Sequence, residues 1–212
     1  PQSEPLWQVQ SIDTMKTSRD NARSELNNPD YDQTIKKELT FIKNTGANYV
    51  TVDTPYDNEF LSYLTRWVQY AHEAGLHVWF RGNWSSWEGW FDYPKNMTPD
   101  EHIEKNTAFI ISNPTLFQDG DIFDPCPECE NAGYWPQTEK NQDYNDFIQK
   151  QYAATKKAFV IIEKNVITNY DSIIGGRVKD VLTQQTLDAL SNVASIDHYV
   201  KDPKIMAEYV DL

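Results

Sequence analysis

The sequence predicts an α/β protein of the (β/α)8 TIM-barrel type, with about six βα units in the chain. Three observations carry that expectation. Short β-branched or apolar runs alternate with amphipathic helical stretches almost from end to end, and parallel strands need helical crossovers between them. No glycine-rich phosphate loop follows the first strand, which disfavours a dinucleotide-binding sheet. Nearly every strand closes on polar or aromatic residues, as in barrels whose sites sit at the C-terminal ends of the strands. An open parallel α/β sheet is the alternative.

The first strand-like run is LWQVQSIDTMK, around Leu6 to Lys16, and a polar loop containing NNPDYD follows. A helix from about Asp32 to Asn44 places Ile35, Leu39 and Ile42 on one face, and Thr45-Gly46 stops it. ANYVTVDT is the second strand. Asp57 or Asn58 is expected to cap the next helix, where Leu61, Leu64, Trp67, Val68 and Ala71 form an apolar stripe and Gly75 lies just past the end. LHVWFRGNW is the third strand. TPDE, Thr98 to Glu101, then reads as a capping box with proline at the first helical position. DIFDP is strand four, and a long helix from about Asp143 to Lys164 carries Phe147, Ile148, Phe159 and Ile162. VITNYDS is strand five, a helix near Gln184 to Asn192 follows, ASIDHYV is strand six, and Asp202-Pro203 opens a last helix.

A full barrel has eight units in about 250 residues. Six strands in 212 residues therefore predict a single barrel domain, 1–212, truncated at its C-terminal end. The exposed strand edges of an incomplete barrel would favour self-association.

Composition narrows the chemistry. A formal charge of −13 and no visible basic patch argue against nucleic acid. No apolar run approaches the roughly 18–20 residues of a membrane span, and PQSEPLW has neither the basic nor the apolar region of a signal peptide. Either such a leader has been removed or none existed. Seven Trp and 12 Tyr, with WSSWEGWF at Trp84 to Phe91 in a loop, suit sugars, whose C–H faces stack on rings while their hydroxyls seek carboxylates and amides. Nothing suggests a bound cofactor or metal: four scattered histidines and a lone CxxC lack zinc-ligand spacing.

The strand ends supply the candidate site. They are Lys16, Ser18 and Arg19; Asp53, Tyr56 and Asp57; Arg81, Asn83 and Trp84; Glu128, Glu130 and Asn131; Asn169, Tyr170 and Asp171; and Asp197, His198 and Tyr199. Carboxylates with Arg, Asn, His and Tyr suit acid/base hydrolysis of a neutral, hydroxyl-rich substrate. CPEC is open to three readings: redox, structural zinc, or a disulfide between Cys126 and Cys129. A disulfide ranks first, because the motif follows a strand and has acidic neighbours that blunt thiol reactivity.

VWFRGN, DIFDPCPE and DHYVKDP resemble strand ends of the retaining glycoside hydrolases in the large (β/α)8 clan that includes cellulases, mannanases and β-galactosidases. The resemblance implies that Glu128 is the general acid/base, with Pro127 where the clan usually has Asn, and with Asn131 or Asn83 in that Asn's role. Glu130 is the rival acid, and His198 and Tyr199 would lie near the cleaved sugar. Asp53, Arg81, Asn83, Trp84, Trp87, Glu130, Asn131 and Tyr170 complete the expected substrate-binding set. The mechanism implied is double displacement on a β-linked oligo- or polysaccharide, its nucleophile a strand-seven glutamate beyond Leu212. On that basis the 212-residue chain alone is expected to have little activity. An extracellular or cell-surface location goes with that substrate. The other reading is a non-catalytic glycan-binding barrel or pseudoenzyme, gripping sugars through Trp84, Trp87 and Trp90.

Overall fold

The computed structural model describes residues 8–129, 141–173 and 194–197. Glu130, Asn131, His198 and Tyr199, and the helices expected near Gln184 to Asn192 and after Pro203, lie outside the described residues.

The strands are β1 (Ser11–Asp13), β2 (Tyr49–Val52), β3 (His77–Phe80), β4 (Ile122–Phe123), β5 (Ile167–Thr168), β6 (Tyr170–Ile173) and β7 (Ala194–Asp197). β1 to β5 pair in chain order and in parallel, and β6 pairs in parallel with β7. β5 and β6 are two halves of the single strand expected at VITNYDS, divided at Asn169, whose N–H donates to Phe123 O at 3.0 Å. The first half pairs with β4 and the second with β7. The strand order is therefore sequential, as in a barrel, without the reversal of a doubly wound sheet.

Helices fill the crossovers: α1 (Met15–Ser18), α2 (Tyr31–Asn44), α3 (Leu61–Glu73), α4 (Ser85–Glu88), α5 (Pro99–Ser112) and α6 (Asn141–Ile161). α2 buries Ile35, Leu39 and Ile42, and α3 buries Leu64, Trp67, Val68 and Ala71, the faces their spacing predicts. Gly75 ends the α3 connection at φ +71, a left-handed conformation that glycine adopts without a Cβ penalty. Among the described residues, no helix is long and apolar enough to cross a membrane.

The two predicted caps fare differently. Thr98 and Glu101 form the reciprocal capping box: Glu101 N–H donates to Thr98 Oγ1 at 3.3 Å and Thr98 N–H to Glu101 Oε2 at 2.8 Å. Thr98→Ala is expected to cost about 1 kcal/mol in urea unfolding. No side chain caps α3. Asp57 instead accepts the Ser85 N–H at 2.8 Å, satisfying an orphan donor in the first turn of α4.

The sheet has two unlike faces, because successive strand residues point to opposite sides. One face carries Val50, Val52, Val78, Phe80 and Phe123, all buried in the apolar core with Trp67 of α3, Phe109 of α5 and Phe159 of α6. Phe117, Phe123 and Phe159 meet edge to face, with centroids 5.1 to 6.0 Å apart. The other face is polar. Ser11 Oγ and Thr51 Oγ1 are 2.8 Å apart, Trp79 Nε1 donates to Asp124 Oδ2 at 2.8 Å, and Asn169 Nδ2 donates to Asp124 Oδ1 at 2.7 Å. Followed toward the C-terminal ends of the strands, this face leads to the candidate site.

Candidate active site

Four strands bring an inward residue to a common centre: Asp13 ends β1, Asp53 follows β2, Arg81 follows β3, and Asp171 lies in β6. Gly82 lets the β2 and β3 exits approach closely. A Cβ there would collide with the Thr54 carbonyl oxygen and lie 2.8 Å from the Tyr56 ring.

Arg81 organises the carboxylates. Its Nη2 lies 2.9 Å from Glu128 Oε1 and 2.8 Å from Asp171 Oδ2, and its Nε donates to Asp171 Oδ2 at 3.0 Å. Its Nη1 is 3.8 Å from both Asp13 Oδ2 and Asp53 Oδ1. Four carboxyl groups thus surround one guanidinium, and the excess negative charge is relieved by proton uptake. Burial first, then the charge of Asp13, pushes Asp53 up to about 8. Asp53 Oδ2 is buried and, among the described residues, has no hydrogen-bond partner. Deeper in the sheet, burial and then the charge of Asp171 hold Asp124 well above the carboxylate range.

Glu128 is delivered to this centre by a constrained loop. Its φ of +46 is left-handed, a conformation costing a non-glycine residue roughly 1–2 kcal/mol. Cys126 and Cys129 flank it as a disulfide with a Cα–Cα distance of 5.3 Å, both cysteines buried. The salt bridge to Arg81 holds the carboxylate end.

Arg81, Asp53 and Glu128 line a cleft of about 180 Å³ together with Asn83, Glu88, Trp90, Arg19, Met15 and Pro127. The cleft is smaller than the ~300–1,000 Å³ typical of drug-sized ligand sites. The Arg19 guanidinium lies 4.9 Å from the Trp90 ring centroid and is also paired with Asp20 at 2.9 Å. Burial raises Glu88 above the usual glutamate range, and the Asn83 side chain donates to it at 2.6 Å.

Of the sequence candidates, Asp53, Arg81, Asn83 and Glu128 converge on the cleft. Three others do not. Trp84 is 8% exposed, packed edge-on against Tyr56 and Phe109, with its Nε1 donating to Asn106 Oδ1 at 2.7 Å. Trp87 is 3% exposed and lies flat on Phe147, 5.7 Å between centroids. Tyr170 is fully buried, its hydroxyl 3.4 Å from that of Tyr144. The loop reading of WSSWEGWF misplaced both tryptophans because α4 turns them inward, where their large apolar surfaces are removed from water. Tyr170 points outward because its neighbours Asn169 and Asp171 take the inner face.

Glu88 went unrecognised in the sequence, although it sits within the aromatic stretch already singled out. Behind it, Asn83 Oδ1 accepts from Trp84 N–H at 2.9 Å and lies 2.8 Å from His102 Nε2. His102 is fully buried, and burial lowers it to about 4, so the ring is neutral.

Neither a protein-family model nor a curated protein matches the chain. Among solved structures, it is similar to a GH5-4 broad-specificity endoglucanase from Clostridium longisporum, with 18% identity and a TM-score of 0.52, over 78% of this chain and 52% of that one. It is also similar to a GH5 xyloglucan-specific endo-β-1,4-glucanase from a metagenomic library, in complex with cellotriose, with 15% identity and a TM-score of 0.53, over 88% of this chain and 59% of that one. The chain thus spans between half and three-fifths of the length of these structures. At such identities the likeness carries the fold alone: the chain has the (β/α)-barrel architecture of these GH5 endoglucanases, in part.

Proposed function

We propose that the chain, as a single (β/α)-barrel domain, carries the sugar-binding cleft and a catalytic carboxyl, Glu128, of a retaining glycoside hydrolase acting on β-linked oligo- or polysaccharides outside the cell. The observation that carries this reading is the convergence of the Arg81-paired Glu128 with Asp53, Glu88 and Trp90 in one cleft at the C-terminal ends of the strands. Such a cleft combines hydroxyl-binding carboxyls with an aromatic ring, and it pairs a carboxylate with a cation that can hold its charge as a glycosidic bond breaks. The two endoglucanases that share the fold make β-1,4-linked glucose units the first ligands to test.

In the double displacement, Glu128 would protonate the glycosidic oxygen as the bond to the anomeric carbon breaks. It would then take a proton from the water that releases the sugar from a nucleophilic carboxylate. Arg81 would steady Glu128 in its ionised phase.

The test pairs calorimetric binding of cellotriose with reducing-end release from cello- and xyloglucan-oligosaccharides. Release by a barrel that includes a strand-seven glutamate, lost in Glu128→Gln while cellotriose still binds, is the expected result for the hydrolase; the 212-residue chain alone is expected to bind with little release. Equal binding without release by that longer barrel and its Glu128→Gln variant would favour the glycan-binding barrel. Absence of binding would sink both.

A further inference from the structure

Two charged side chains face the same cleft without meeting. Arg19, just past α1, and Glu88, at the end of α4, both line it, yet they form no ion pair with each other. Each is held by one edge. Arg19 Nε and Nη2 donate to Asp20 Oδ1 at 3.0 and 2.9 Å, and Lys16 holds the other oxygen of that carboxylate at 3.0 Å. Glu88 Oε1 accepts from Asn83 Nδ2 at 2.6 Å, and the Asn83 amide is fixed in that sense because its own oxygen takes the Trp84 N–H at 2.9 Å. Among the described residues, Arg19 Nη1 and Glu88 Oε2 have no hydrogen-bond partner.

The seat of Arg19 is a built one. Its guanidinium lies over the Trp90 ring, 4.9 Å from the centroid, and the two residues after Trp90, Phe91 and Asp92, are left-handed at φ +54 and +64. Side chains other than glycine keep such angles where their surroundings impose them, and ligand clamps are one place where that strain collects. Arg23 fastens this turn: its Nη1 donates to the Phe91 carbonyl at 2.8 Å and its Nε and Nη2 grip Glu59 at 2.8 and 3.0 Å. Tyr93 donates to the same Glu59 at 2.8 Å. One face of Trp90 is thus occupied by an arginine whose second edge stays open. Burial is the largest influence on Glu88 and raises it, while the Asn83 donor and then the charges of Lys95 and Arg19 favour its carboxylate. Arg19 is therefore within electrostatic reach of Glu88, although no hydrogen bond joins them.

An open donor and an open acceptor in one cleft define the group that fits between them. A cation is repelled by Arg19 and an anion by Glu88, whereas a hydroxyl accepts from one and donates to the other through a single oxygen. We propose that Arg19 is a specificity-determining residue of this cleft: Arg19 Nη1 and Glu88 Oε2 hold one uncharged hydroxyl of the bound glycan between them, donating to it and accepting from it respectively. The ligand class selected is a neutral sugar, with neither a carboxylate nor an amino group at that position. The other arginine of the cleft, Arg81, is committed to Glu128 and Asp171. The proposal rests on the glycan reading and adds to it a recognition residue supplied by the connection after β1.

Calorimetric binding of cellotriose to the parent, Arg19→Met, Glu88→Gln and the double variant tests this. Arg19→Met removes the donor and keeps an apolar stem beside Trp90, so affinity should fall about tenfold, which is roughly 1.4 kcal/mol. Glu88→Gln should weaken binding to a similar extent. The Asn83 NH2 group keeps the amide oxygen, so the amide NH2 at position 88 faces the cleft and the hydroxyl meets two donors. One hydroxyl serves both residues, and with Arg19 gone that amide can donate to it. The double variant should therefore also lose about tenfold, against the hundredfold of two independent contacts. A hundredfold loss in the double variant, or unchanged affinity in either single variant, overturns the bridge and leaves the glycan reading standing. Losses of affinity that track a fall in the urea-unfolding midpoint overturn it as well, by assigning the two residues a structural role. No cellotriose binding by the parent overturns the glycan reading and the bridge together.

Discussion

Arg81→Met is expected to destabilise the protein by about 3–5 kcal/mol at pH 7, the range for breaking a buried ion pair by removing one partner. The physical reason is the company it keeps. Asp171 is 1% exposed and Asp53 2%, and Glu128 and Asp13 complete the ring around the guanidinium. Without the cation, the buried Asp171 faces Glu128 and Asp13 with no counter-charge, and the group can only take up protons or separate. The loss should shrink as pH falls, because protonating a carboxylate removes the charge that needs the cation. Arg81→Lys should recover only part of it, because a single ammonium cannot serve Glu128 and Asp171 from one planar fork. Urea unfolding at pH 7 and pH 4 measures both. A change below 1 kcal/mol for Arg81→Met at pH 7 would show that the ring is not what holds these strand ends together.

Asp53→Asn is expected to lessen the loss of stability that the fold suffers as pH rises from about 4 to 8, of which Asp53 is one source. Burial and the charge of Asp13 push Asp53 up to about 8 in the fold, against an ordinary 3.8, so the folded state holds a proton that the unfolded chain has already released. Its contribution to stability is complete below pH 3.8 and is lost as pH rises to about 8. A shift of that size corresponds to the order of 5 kcal/mol across the window. Asparagine imitates the neutral acid at every pH, so the variant should be more stable than the parent at pH 8 and similar to it at pH 4.

His102 works in the opposite direction. Its folded value near 4 lies below the ordinary 6.5, so its contribution is present above 6.5 and falls away as pH drops toward 4. The parent should therefore be most stable at mildly acidic pH, and Asp53→Asn should flatten the decline on the alkaline side. An unchanged slope between pH 6 and 8 in Asp53→Asn would contradict a protonated Asp53.

The barrel was legible because its signals are local. The apolar stripe of α3, the capping box at Thr98 and the β-branched runs of β2 and β3 are written at fixed spacings, and the helices expected at Asp32–Asn44 and Asp143–Lys164 formed as α2 and α6 within three residues of those bounds. Asp57 misled because an aspartate before a helical run satisfies the rule for a cap wherever it lies. Its carboxylate instead took the N–H of Ser85, 28 positions away in sequence.

The cleft was legible only in outline. That strand ends would supply Asp53, Arg81, Asn83 and Glu128 to it followed from their positions along a barrel. Which aromatic lines it did not. Trp84, Trp87 and Trp90 share one short stretch, and the inward turn of α4 buries the first two while Trp90 lines the cleft.

The sequence by itself determined the alternation of strand and helix, the apolar face of each helix and the residue types at the strand ends, because these depend on spacing along the chain. Only the tertiary structure decided that one arginine would meet four carboxyls, that Asp53 and Glu88 would be pressed toward their protonated forms, and that two tryptophans would be core. Charge, burial and hydrogen bonding at those positions are set by groups tens of residues apart, and their energies exist only once the strands stand side by side.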